Sequence, residues 1–198
     1  MRDRVISLQH TLSNLGSSLV AEHVSGERNV VADHLSRVDV GDAFQLNQFV
    51  FADLQCTIGP CTIDRFATMA NALLPVFNSY FLELSSSGVD AFAQTNWHAH
   101  VNFCHPPLAI LGRLVNFLLH DVPSAHCLVI APVWRSAPWF APLLLHASCA
   151  YWLPPVEFLF VRLLPDPPGP YVRNQDWRFV AVLLNVEPLS PPPFPTFF

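Results

Sequence analysis

The run Cys127-Leu-Val-Ile-Ala131 constrains the fold more than any other stretch of the chain. Its unbroken apolar residues leave no polar face. That suits a strand covered on both sides, as in the middle of a parallel sheet. Helical patterns flank it. Leu108 to Leu119 sets Ile110, Leu111, Leu114, Val115 and Leu118 on one side of a helix, and Ala141 to Ala150 reads as a further helix. Upstream, His100 to Cys104 reads as a strand stopped by Pro106 and Pro107. Thr62 to Ala67 is strand-like and runs into an expected helix carrying Met69, Leu73 and Leu74. Val89 to Ala93 is a short strand candidate. This alternation predicts an α/β layered fold with a mostly parallel sheet.

Around that domain the pattern changes. Residues 1–40 form a unit of their own. Val5, Leu8, Leu12 and Leu15 recur at helical spacing up to Gly16. Leu19 to Val24 reads as a strand, and Asn29 can cap a helix from Val30 to Arg37. Residues 41–60 read as a linker and 61–165 as the α/β domain. Of the 19 prolines, 11 fall in the last 45 residues. Residues 166–198 are therefore expected to be a proline-rich, largely irregular tail.

Composition removes several functions. All 10 basic residues are arginine. Without lysine there is no Walker A loop, no Schiff-base enzyme and no lysine-rich nucleic-acid arm. The arginines are scattered, so no basic stripe marks a nucleic-acid footprint. Charged residues make up 13%, against a usual ~25%; the surface is expected to be poor in charge or covered by a partner. No apolar stretch reaches the ~18–20 residues of a membrane helix, and Met1-Arg-Asp-Arg does not open a signal peptide. Five cysteines in a chain of this size read as reduced thiols of an intracellular protein.

Two constellations carry chemistry. The first is His23-Val-Ser-Gly-Glu-Arg-Asn29-Val-Val-Ala-Asp33-His-Leu-Ser-Arg37. It fills, without a gap, the pattern H-x-x-G-x-x-N-x-x-A-D-x-L-S-R, and so resembles the C-terminal motif of retroelement ribonuclease H domains in gypsy-like and DIRS-type elements. The resemblance implies that Asp33 is the last of four carboxylates holding two Mg2+ ions, and that His23 sits on a loop involved in product release. It implies an RNA–DNA hybrid or DNA as the partner of the parent polyprotein. Two-metal hydrolysis needs several carboxylates. Only Asp3, Glu22 and Glu27 precede Asp33, so the metal site is incomplete and nuclease activity is not expected.

The second constellation is Thr62 to Asn71, Asp90 to Trp97, Val101 to Pro107, and Leu128 to Trp134 with Pro138 to Phe140. In this order the pieces resemble the domain after ribonuclease H in DIRS-type retrotransposons. That domain is similar to phage-type DNA adenine methyltransferases, whose Rossmann-like core uses S-adenosylmethionine. Active members end a strand in Asn/Asp-Pro-Pro-Tyr/Phe, which accepts hydrogen bonds from the target amine and stacks on the flipped base. Here the stretch is His105-Pro106-Pro107-Leu108. Both the acceptor and the stacking ring are replaced. Asp64 and Asp90 remain candidates for cofactor contacts, and no G-x-G turn is present.

His98, His100, Cys104 and His105 cluster, but they match no structural zinc spacing. Trp97, Trp134, Trp139 and Trp152 flank apolar runs and are expected in the core. The resulting expectation is a fragment of a retroelement reverse transcriptase/ribonuclease H polyprotein, inactive alone and needing the remainder of that polyprotein. The alternatives are a working DNA adenine methyltransferase and a non-catalytic docking module.

Overall fold

The structure, a computed structural model, describes residues 44–163, 176–190 and 194–197. All belong to the unit Val38–Phe198. The helix–strand–helix expected in residues 1–40 lies outside them.

The elements, in chain order, are β1 (Phe44–Leu46), α1 (Gln48–Ile58), β2 (Ile63–Asp64), β3 (Asn78–Ser79), β4 (Gly88–Val89), β5 (Val101–Cys104), α2 (Leu111–His120), β6 (His126–Pro132), α3 (Phe140–Leu145), β7 (Cys149–Trp152), α4 (Val156–Leu159), β8 (Phe160–Arg162) and β9 (Phe179–Leu184). Short 3-10 turns span Ala91–Ala93, Trp97–Ala99 and Leu108–Ile110. The protein is a mixed α/β fold. Its main sheet runs β2-β5-β6-β9-β7. The β2–β5 and β5–β6 pairs are parallel, whereas β9 is antiparallel to both its neighbours. A parallel bridge from Asp64 to Phe77 extends the sheet through β3 to β4, which pair in parallel. β1 and β8 form a separate antiparallel ribbon.

β6 lies between β5 and β9, and Cys127 to Pro132 are all buried, as its apolar run requires. α2 buries Leu111, Leu114, Val115 and Leu118. Their spacing of three and four puts them on one stripe toward the core. The core joins both faces: Phe51 of α1 packs on Phe103 of β5 at 4.7 Å, and Trp97 packs on Phe117 of α2 at 5.2 Å.

Five expectations differ from the structure. The strand expected over Val89 to Ala93 reaches only Val89, the end of β4, and Ala91–Ala93 is a 3-10 turn. Within the expected linker, residues 44–58 build β1 and α1. Asn47 caps α1 by accepting from the Phe49 amide at 2.9 Å, and α1 ends at Gly59 with φ 86. No helix follows β2. Asn71 Oδ1 accepts from the Thr68 amide and hydroxyl at 2.6 and 3.1 Å, which closes a turn instead; Pro75 then disfavours helix for Leu74. The helix expected over Ala141 to Ala150 stops at Leu145, and Cys149 and Ala150 enter β7. Most consequentially, the expected irregular tail contains β9, whose six residues are all buried. Prolines at both ends of Phe179–Leu184 obscured an apolar run as plain as that of β6.

Candidate functional site

Strand order reverses between β2 and β5. From β2 the chain first goes out to β3 and β4, then returns to β5 and continues to β6. In open α/β sheets ligands bind beyond the carboxyl ends of the strands at such a reversal. Asp64 ends β2, Asp90 follows β4, and His105 follows β5. The fold thus collects these sequence candidates along one edge of the sheet. His23 and Asp33 lie outside the described residues.

Each group at that edge is already engaged. Asp64 is 3% exposed. Its carboxylate accepts from the Leu73 amide at 3.2 Å and the Phe66 amide at 3.5 Å. Burial disfavours the charged form more than these bonds restore it, and the pKa rises to about 7. Asp90 has φ 52 and caps the turn Ala91–Ala93 by accepting from the Phe92 amide at 3.1 Å. The Cys61 thiol nearby is pushed up to about 12 by burial and then by Asp64, so it is no nucleophile.

His105 lies stacked on Phe160 of β8, with ring centroids 5.1 Å apart and planes 13° apart. Burial pushes the imidazole down to about 4, so it is neutral at pH 7. Pro106 is buried. Pro107 accepts from the Ile110 amide at 3.0 Å, opening the turn that leads into α2. Leu108 is buried beneath that turn and presents no stacking ring. The β1–β8 ribbon spans this edge. Gln45 of β1 donates to the Asn71 and Ala72 carbonyls at 3.2 and 3.4 Å, while Phe160 of β8 covers His105.

These residues do not fit S-adenosylmethionine. The segment after β2 has no glycine and opens no helix, so no backbone amides converge on a ligand there. Both candidate carboxylates are spent on their own backbone. Among the described residues no three His, Cys, Asp or Glu side chains come together to hold a metal ion. Thr62 Oγ1 lies 3.0 Å from His100 Nδ1, while His98 is exposed.

Sequence reasoning missed the most elaborate polar cluster. Arg65, 1% exposed, makes four hydrogen bonds to three asparagines. Nε donates to Asn102 Oδ1 at 2.7 Å, and Nη1 to Asn78 Oδ1 and Asn96 Oδ1 at 2.8 and 3.0 Å. Nη2 donates to the Asn96 carbonyl at 3.3 Å. The guanidinium lies over Trp97 at 4.5 Å, and burial lowers its pKa. Asn102 in turn donates to the Trp97, His100 and His126 carbonyls. Its partners are distant in sequence, so no local motif marks it. The cluster has the form of a tie between β2, β3 and β5, not of an open site.

No protein-family model matches the chain, and no curated protein matches it.

Proposed function

We propose that this chain is a non-catalytic remnant of a DIRS-type retroelement polyprotein, with a ribonuclease H motif at residues 23–37 and a methyltransferase-like domain after it. The observation that carries the loss of catalysis is the state of His105. It replaces the Asn or Asp of the active motif, and its ring lies stacked under Phe160 of the β1–β8 ribbon. The strand order supports the methyltransferase-like part. Numbered along the chain from β2, and setting the last strand aside, it follows the doubly-wound order 3-2-1-4-5-6, with β9 inserted antiparallel between the fifth and sixth strands. The test is methyl transfer from labelled S-adenosylmethionine to adenine-containing DNA. The expected result is no transfer above background; turnover by the purified chain contradicts the proposal.

A docking role within the polyprotein is the second reading, favoured by one observation. Met69, Tyr80, Phe81, Leu82 and Leu84 are all exposed, and Glu83 ties the two loops together by accepting from the Met69 amide at 2.6 Å. Apolar groups concentrated in this way suit burial against the rest of a larger protein.

A further inference from the structure

The outer edge of β7 is not bare. β7 is the last strand of the main sheet, with β9 on its inner side. A bare edge offers unpaired amides and carbonyls to any extended chain. Here the chain's own C-terminal segment takes them. The Trp152 amide donates to the Pro195 carbonyl at 2.9 Å, and the Phe197 amide donates to the Ala150 carbonyl at 2.8 Å. These two bonds bracket an antiparallel bridge between Tyr151 and Thr196. The Phe197 ring packs on Trp152 at 4.7 Å and on Phe140 at 6.2 Å. Beside this pairing lies a cavity of about 510 Å³ lined by Trp152, Leu153, Pro154, Arg178, Phe194 and Pro195.

We infer that the β7 edge is a strand-addition site for an extended peptide bearing proline and aromatic residues. The tail Phe194–Phe197 holds the site in cis, and a partner segment of the same chemistry takes it when the tail lifts. Three features set that chemistry. Backbone pairing needs an extended chain with a carbonyl and an amide two residues apart, as Pro195 and Phe197 supply. The proline costs nothing at its position, because the bond uses its carbonyl and not the amide it lacks. The aromatic ring after it fills the space between Trp152 and Phe140. Only a few residues make the cis pairing, so its hold rests on the high effective concentration of a tethered tail.

The experiment uses the full chain and a fluorescein-labelled peptide of sequence PPPFPTFF. Phe197→Pro removes the amide donor and the ring together and vacates the edge. Saturable binding is expected to this variant, at least about tenfold tighter than to the wild-type chain, where the tail competes. No saturable binding to a folded variant, or equal binding to both chains, overturns the inference. Hydrogen exchange on the wild-type chain gives an answer even if the variant does not fold. The Trp152 amide faces the tail, whereas the next amide, Leu153, donates inward to the Phe179 carbonyl of β9. A tail that lifts independently makes Trp152 exchange at least about tenfold faster than Leu153. Equal protection of the two amides means that the tail does not lift separately, and the inference fails.

Discussion

Asp64 and Arg65 are neighbours in sequence with opposite formal charges, yet each is buried among its own separate partners. For Asp64 the folded-state pKa of about 7 lies above its ordinary 3.8. Folding therefore favours the protonated acid. Asp64 thus contributes a loss of stability, on the order of a few kcal/mol, as pH rises from about 4 to about 7, while His105, held down to about 4, contributes a gain up to about 6.5. Urea denaturation at pH 5 and pH 8 of the wild type and of Asp64→Asn isolates the Asp64 part: the variant should gain more stability, or lose less, over that interval than the wild type. Arg65 is held by neutral amides. Arg65→Met leaves buried acceptors unpaired and should cost about 2–4 kcal/mol in the same assay. Arg65→Lys should not restore it, since an ammonium cannot reach three asparagines from one plane. Little of this is legible in the sequence. Asp64 stands out as an acid at a strand end, but its burial depends on the turn at Thr68–Asn71. The asparagines around Arg65 become neighbours only through strand pairing.

At the scale of elements, what could be read from sequence follows one rule. β5, β6 and α2 carry their signal in contiguous residues, as apolar runs or helical spacing. β1, α1 and β9 were hidden by what surrounds them. β9 pairs with β6 across a separation such as Cys127 to Leu184, and no local pattern announces an antiparallel insertion between β6 and β7. Two elements can be tested singly. Gly59 closes α1 at φ 86, and a Cβ there would lie 3.2 Å from Leu189 Cδ1. Gly59→Ala combines a disfavoured conformation with a close contact and should lower stability by about 1–2 kcal/mol by thermal or urea unfolding. In the β1–β8 ribbon, Phe160→Ala uncovers His105. The His105 pKa should then rise from about 4 toward its ordinary 6.5, as followed by NMR titration of the imidazole. An unchanged value would mean that Phe160 is not what shields it.

At the scale of the molecule, the described residues form an α/β fold in which the groups at the carboxyl ends of β2, β4 and β5 are engaged by the chain itself. The strand reversal that would open a crevice is present. Asp64 and Asp90 cap turns there, Leu108 is buried, and the β1–β8 ribbon crosses from Asn71 to His105. From sequence, the replacements at His105 and Leu108 and the missing glycine turn were visible. The ribbon was not, because it joins the supposed linker to the segment after α4. The low charge of the chain also changes meaning at this scale. Part of the apolar excess lies in the buried pair β6 and β9; part is exposed at Tyr80–Leu84. We propose that this edge does not bind the S-adenosylmethionine used by its proposed relatives. Calorimetric titration of the full chain with S-adenosylmethionine at pH 7 tests it most directly. No saturable heat is expected at millimolar ligand. Micromolar binding that is abolished by Asp64→Ala, with the variant still folded, would contradict it.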